Sequence, residues 1–142
     1  QEATGYIFSQ LLGSVLAALI VFWMNDALMI IEPSETAPVS KILLIELIFT
    51  FLLIFIILFV ATDRRTEGNS YYGVVIGFTV MLISYIGSGI SGGAYNPAVG
   101  TGPILVDVII GDGETLSNLW YYLVGPIIGA VAASYIYKFT IE

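Results

Sequence analysis

Long apolar runs separated by short polar segments dominate the chain, at residues 5–24, 42–62, 72–90 and 120–137. Each run is long enough for a membrane-spanning helix, which needs about 20 apolar residues to cross about 30 Å of hydrocarbon. Tyrosine and tryptophan residues, among them Trp120, Tyr121 and Tyr122, gather near the ends of these runs, where an aromatic belt would meet the membrane interface. The pattern predicts an all-α integral membrane protein with four transmembrane helices.

A fifth apolar stretch, residues 97–110, follows a run of small residues at 87–94. It begins at Asn96-Pro97, and asparagine is a favoured helix cap while proline is favoured at the first helical position. At about 1.5 Å per residue the stretch is too short to span a membrane. We therefore predict a re-entrant half-helix, which is tolerated at depth only where protein or a wet cavity covers it.

Composition supports the membrane class and narrows the partners. Hydrophobic residues make up 58% of the chain and charged residues 11%, against about 45–50% and about 25% in soluble domains. The four basic residues, Lys41, Arg64, Arg65 and Lys138, are too scattered to follow a phosphate backbone. We expect membrane lipid around the chain and no nucleic acid partner.

The residue inventory also argues against catalysis. Residues 87–92 fit G-x-G-x-x-G, but they end a span rather than follow a strand, so a dinucleotide site is not expected. Residues 89–92 fit the G-x-S-G of intramembrane serine proteases that resemble rhomboids, yet the chain has no histidine to serve as base. Cysteine is absent as well. We predict no enzyme, no metal site and no cofactor.

One carboxylate and one carboxamide side chain lie inside the predicted spans. Glu46 interrupts the second span and Gln10 lies in the first. A carboxylate at membrane depth is costly and marks a partnered or functional site, although a snorkelling or a protonated side chain is the alternative. We expect Glu46 to face protein or a wet cavity.

Small residues recur four positions apart within the spans. The pairs are Gly13 with Ala17, Gly73 with Gly77, and Gly125 with Gly129. Such spacing permits close approach of two helix backbones. We predict that these positions are helix-packing sites.

Residues 91–98, Ser-Gly-Gly-Ala-Tyr-Asn-Pro-Ala, resemble the second Asn-Pro-Ala loop of the aquaporin and aquaglyceroporin (major intrinsic protein) family. Residues 5–13 resemble the start of the third span of that family, residues 46–51 and 120–129 resemble its fourth and sixth spans, and Gly102-Pro103 matches its short helix. Order and spacing agree over nearly the whole chain. The resemblance implies a single aquaporin-like domain over residues 1–142, running from the third span to the sixth.

The resemblance also implies roles for individual residues. Asn96 donates hydrogen bonds to the permeant molecule, and Pro97 and Ala98 hold the turn. The carbonyl groups of residues 92–93 act as acceptors along the path. Glu46 accepts hydrogen bonds from the loop amides, with Gln10 as a second loop-supporting residue.

The narrow filter of the family maps to Ser84, Gly93 and Val99. The family normally has an arginine directly after the second Asn-Pro-Ala, and here that residue is Val99. A small, uncharged filter predicts either a wider, less selective pore or a pore that is no longer selected for water.

The resemblance does not cover the first two spans or the first half-helix of the family. We therefore expect the chain to be incomplete alone, with upstream residues or another polypeptide supplying the rest, in a homotetramer or a larger membrane complex. The predicted function is a channel component for water or small neutral solutes. The alternative is a non-conducting structural or assembly subunit of a larger membrane complex.

Overall fold

The computed structural model describes residues 2–141, which form five α-helices joined by short connections. The helices are α1 (Glu2–Asn25), α2 (Val39–Ile57), α3 (Tyr72–Ser91), α4 (Pro97–Ile110) and α5 (Leu119–Ile141). Three short helical turns complete them: a π-helical turn at Leu58–Thr62, and 3₁₀ turns at Arg64–Thr66 and Glu114–Asn118.

Four of the helical segments are long and apolar enough to cross a membrane: α1, α2 with its π turn, α3, and α5 with the preceding 3₁₀ turn. The prediction of an all-α, multi-pass membrane protein is confirmed. Two helices run beyond the predicted limits: α1 begins at Glu2 and α5 ends at Ile141. An apolar run marks the hydrocarbon-facing part of a helix, whereas backbone hydrogen bonding continues into the polar interface. The short helix α4 has the predicted bounds.

The helices pack side by side in the order α1, α4, α5, α2, α3, so α1 and α3 lie at the two ends of the row formed by residues 2–141. The most extensive packing joins α2 to α5. A Cβ atom at Gly125 would lie 2.7 Å from Cβ of Glu46, and one at Gly129 would lie 3.0 Å from the amide nitrogen of Phe51. Both glycines therefore permit the close contact between these helices.

The other predicted packing glycines are not used in this way among residues 2–141. A Cβ atom at Gly13, Gly73 or Gly77 would have no neighbour within 4 Å. Gly13 lies on α1 and the other two lie on α3, the two helices at the ends of the row, and their small faces point away from the described neighbours. Close packing at these three positions has no partner among residues 2–141 and stays a prediction.

The short helix α4 is held between α1 and α5. A Cβ atom at Gly102 would lie 2.5 Å from the carbonyl carbon of Ser14, and one at Gly100 would lie 2.5 Å from Cβ of Tyr122. Near the other end of α4, Oδ2 of buried Asp107 accepts a hydrogen bond from the Thr115 hydroxyl at 2.6 Å. The apolar core beside α4 contains Ile31, Ala94, Ile104 and Tyr122.

Polar side chains order the connection from α2 to α3. Oδ1 of Asp63 accepts hydrogen bonds from the Arg65 amide at 2.8 Å and from the Arg65 guanidinium at 3.0 Å. Thr66 and Asn69 each donate a hydrogen bond of 2.8 Å to a carbonyl group of the π turn, residues 58–62. Hydrogen bonds from the Arg65 side chain lower the pKa of Asp63 from its ordinary 3.8 to about 2.

Gly129→Ala tests the contact between α2 and α5. The added methyl group meets backbone atoms of α2, and overpacking of this kind costs about 1–3 kcal/mol. We expect a lower unfolding temperature in detergent micelles. Gly77→Ala is the matched control, because it adds a methyl group in open space, and its unfolding temperature should not fall. Equal unfolding temperatures for the two variants would contradict this packing.

Asp63→Asn tests the ordered connection. Loss of the carboxylate should speed tryptic cleavage after Arg64 and Arg65 at neutral pH, whereas Asp112→Asn, in another connection, should not. Because folding lowers the pKa of Asp63, its stabilising effect is complete above about pH 4 and is lost as the pH falls through its folded pKa. The difference in amide hydrogen exchange between wild type and variant should therefore shrink towards pH 2. A difference that stays constant with pH would argue against the carboxylate.

Candidate functional site

The side chain of Glu46 is fully buried on one face of α2, in line with Ile42 and Thr50. Its Oε1 accepts hydrogen bonds from the Ser91 hydroxyl at 2.7 Å and from the Ala94 amide at 3.1 Å. Its Oε2 accepts a hydrogen bond from the Tyr95 amide at 2.7 Å. These donors compensate the cost of burying the carboxylate. The expected contact between Glu46 and the loop amides is present, while its functional role stays a prediction.

The loop between α3 and α4 covers residues 92–96 and contains three residues with left-handed backbone. Gly92, Gly93 and Tyr95 have φ angles of 87°, 77° and 49°. Glycine adopts this left-handed conformation readily, whereas a side chain such as that of Tyr95 makes it unfavourable. Gly92 is also needed for space, because a Cβ atom there would lie 2.7 Å from the carbonyl oxygen of Glu32.

Two hydroxyl groups fix the carbonyls at the two ends of this loop. The Tyr122 hydroxyl donates to the Ser91 carbonyl at 2.6 Å, and the Thr50 hydroxyl donates to the Tyr95 carbonyl at 2.9 Å. Between them, the carbonyls of residues 92–94 accept no hydrogen bond from residues 2–141. Backbone carbonyls at membrane depth need donors. These three carbonyls therefore have no donor among the described residues.

Asn96 caps the N-terminus of α4, with Pro97 at the first helical position. Its Oδ1 accepts a hydrogen bond from the Ala98 amide at 2.9 Å. The side-chain NH₂ group retains two donors for another molecule. The N-terminus of a helix carries a partial positive charge. The start of α4 therefore offers donors and a positive field at the same place.

A cavity of about 330 Å³ lies beside the start of α4. A water molecule occupies about 30 Å³ in the liquid, so the cavity has room for several. Its polar lining consists of Gln10, Ser14 and Asn96. Its apolar lining consists of Ala17, Ala18, Met29, Ala98, Val99 and Pro103.

The structure brings together only part of the predicted set. Val99 lies beside Asn96 at the cavity, but Ser84 and Gly93 are not part of its lining. Ser84 is half-buried on α3, the helix farthest from α1 in the row. Gln10 lies at the cavity and makes no hydrogen bond to the loop among residues 2–141, so its loop-supporting role stays a prediction.

Sequence reasoning missed Thr50, Ser91, Tyr95 and Tyr122 as residues that shape the loop. Thr50 had a signal, since it lies one turn after Glu46 on the same face of an otherwise apolar helix. The prediction of Tyr122 as a belt residue is wrong, because its side chain is fully buried. Its position in the sequence, beside Trp120 and Tyr121, gave no means to tell a buried tyrosine from an interfacial one.

Comparison with known proteins decides the family. The family model described as Major intrinsic protein matches residues 1–137. The chain belongs to the major intrinsic protein family. Members of this family are membrane channels rather than enzymes.

Relatives of this major intrinsic protein include plant proteins. It is 37% identical over 147 residues to Aquaporin NIP3-1 of Arabidopsis thaliana, covering 96% of this chain and 43% of that protein. It is 35% identical over 141 residues to Nodulin-26 of Glycine max, covering 96% and 49%. For Aquaporin NIP1-1 of Zea mays the identity is 37% over 140 residues, covering 97% and 47%. The chain thus spans about half the length of these relatives.

Glu46→Ala tests the support of the Asn-Pro-Ala loop in this major intrinsic protein. The change leaves the Ala94 and Tyr95 amides without their acceptor, and each buried unpaired amide costs about 1–3 kcal/mol. We expect a lower unfolding temperature in detergent and faster proteolysis within residues 87–96. Gln10→Ala, which removes no hydrogen bond to the loop, should leave both unchanged. Unaltered unfolding and proteolysis in Glu46→Ala would show that Glu46 does not hold the loop.

Proposed function

We propose that this major intrinsic protein conducts water or small neutral solutes across a membrane, and that residues 92–99 form part of the path. The observation that carries the proposal is Asn96 at the N-terminus of α4, lining a cavity of about 330 Å³. The names Aquaporin NIP3-1 and Aquaporin NIP1-1 of two relatives agree with this direction.

The chemistry of the site favours a neutral, hydrogen-bonding permeant. Asn96 supplies donors, and the unpaired carbonyls of residues 92–94 supply acceptors. The positive end of α4 disfavours cations. Apolar neighbours such as Met29 and Val99 offer no competing hydrogen bonds. A molecule that both donates and accepts hydrogen bonds, and carries no charge, fits these surroundings.

The filter proposed for this path consists of Ser84, Gly93 and Val99. All three are small or uncharged, and Val99 replaces the arginine that the family normally has. An arginine would add hydrogen-bond donors and a positive barrier. We propose that its replacement widens the path, so that neutral solutes larger than water also pass.

Further protein is proposed to complete the path. The small faces at Gly13 and Gly77 contact no other described residue, which suits them to lipid or to another protein surface. We propose that residues outside the described segment, from the same polypeptide or from a partner, complete the wall. The assembly is then a homotetramer or a larger membrane complex.

A second candidate is a non-conducting structural subunit of such a complex. The observation that favours it is Val99, because a chain without transport activity has no need of a charged filter residue. The uncovered glycine faces of α1 and α3 suit this role equally well. The two candidates differ in one measurable property, which is permeability.

Osmotic swelling of vesicles tests the channel. The protein is purified in its native assembly and reconstituted, and water and solute permeabilities are measured by stopped-flow light scattering. We expect both to exceed those of empty vesicles. Val99→Arg should reduce the solute permeability several-fold and lower any proton leak, because the guanidinium narrows the path and adds positive charge.

Val99→Leu is the matched control, since it changes side-chain volume without adding charge. It should leave the proton leak unchanged. Permeability equal to that of empty vesicles, from a folded native assembly, would overturn the channel proposal and favour the structural subunit.

A further inference from the structure

Tyr95 directly precedes Asn96, and its backbone has an unusual conformation. Its φ angle is 49° and its side chain is buried, with 3% exposed. A bulky residue in the left-handed region is strained, and such strain persists only where the surroundings hold it. The contacts of Tyr95 show what holds it.

Three contacts join Tyr95 to α2. Its amide donates to Oε2 of Glu46 at 2.7 Å, and its carbonyl accepts from the Thr50 hydroxyl at 2.9 Å. Its ring meets the ring of Phe49 edge to face, with the centroids 5.5 Å apart. Both polar groups of the residue's backbone are therefore bonded to side chains of one helix.

A fourth contact joins Tyr95 to α3. Its hydroxyl donates to the Ile83 carbonyl at 3.1 Å. Gly87 makes room for this hydroxyl, because a Cβ atom at Gly87 would overlap it. Ile83 is followed by Ser84, the residue proposed for the filter. The phenol therefore ties the loop to the same turn of α3 that carries Ser84.

The contact with Thr50 has a direct effect on the next residue. The peptide bond between Tyr95 and Asn96 is planar, so its carbonyl and the amide of Asn96 move together. A carbonyl held by Thr50 fixes that plane, and with it the direction in which Asn96 leaves the loop. The side-chain oxygen of Asn96, Oδ1, is held by the hydrogen bond from the Ala98 amide.

We propose that Tyr95 is a positioning residue. It sets the direction of the side-chain carboxamide of Asn96 and thereby the solute selectivity of the path. The effect of Tyr95 on selectivity rests on the proposed channel function, whereas its effect on the loop conformation does not. Thr50 acts with Tyr95 by holding its carbonyl. A tyrosine that only fills space in the core would not require the Thr50 hydroxyl.

The test compares Tyr95→Phe, which removes the hydroxyl that donates to the Ile83 carbonyl, with Thr50→Val, which releases the Tyr95 carbonyl. Thr50→Ser keeps the hydroxyl and should restore wild-type behaviour. Thr79→Val is the matched control, because Thr79 is also buried but its hydroxyl donates to Val75 within α3. All variants are examined in the native assembly, with unfolding temperatures measured in parallel.

The first readout is the ratio of glycerol permeability to water permeability in vesicles. The net contribution of one hydrogen bond corresponds to about a fivefold change in an equilibrium constant. We expect Tyr95→Phe and Thr50→Val to change the ratio about twofold to fivefold, while Thr50→Ser and Thr79→Val keep it. An unchanged ratio in the first two variants would overturn the effect on selectivity.

The second readout does not depend on transport. The chain has no cysteine, so Val99→Cys adds a single thiol at the cavity. Its labelling rate by a small hydrophilic thiol reagent should change about twofold to fivefold when Tyr95→Phe or Thr50→Val is added, and Thr50→Ser should leave it unchanged. Vesicles that do not conduct, with altered labelling, would refute the channel and retain the positioning role. Unaltered labelling in folded Tyr95→Phe and Thr50→Val would refute the positioning role itself; if Tyr95→Phe does not fold, Thr50→Val alone decides.

Discussion

The structure depends on how a single carboxylate is accommodated where water is scarce. Glu46 lies fully buried in an apolar helix, and its described partners are a hydroxyl and two backbone amides rather than a basic side chain. The carboxylate and the loop amides each need the other, because either would be costly alone at this depth. This mutual requirement brings the loop after α3 against α2 and so fixes where α4 begins.

The remaining helices support that arrangement. Gly125 and Gly129 allow α5 to approach α2 closely, and α5 carries Tyr122, which holds the Ser91 carbonyl at the start of the loop. Gly102 allows α4 to approach α1, whose residues form the opposite side of the cavity. The polar loop is thus enclosed by helix contacts that rely on small residues, as is common where lipid supplies no hydrophobic drive between helices.

The sequence was informative wherever the free-energy cost or the backbone preference of individual residues decides the local structure. Apolar length predicted the four spans, Asn96-Pro97 predicted the start of α4, and the cost of a buried charge singled out Glu46. It was uninformative wherever the outcome depends on which face of a helix meets a neighbour. Gly73 and Gly129 lie in similar patterns, yet only Gly129 meets another helix among residues 2–141. Tyr122 resembled an interfacial tyrosine for the same reason, since burial is a property of the packed bundle.

The distance along the chain between Glu46 and its partners has a consequence for biogenesis. Its donors at Ser91 and Tyr95 follow it by 45 and 49 residues, and α5, the main partner of α2, follows later still. A chain is synthesised from its N-terminus, so α2 is made before the groups that bond to Glu46. Until they arrive, the carboxylate needs shelter from lipid, through protonation, water or the insertion machinery. A chain cut short before the loop would leave Glu46 of α2 without its three donors.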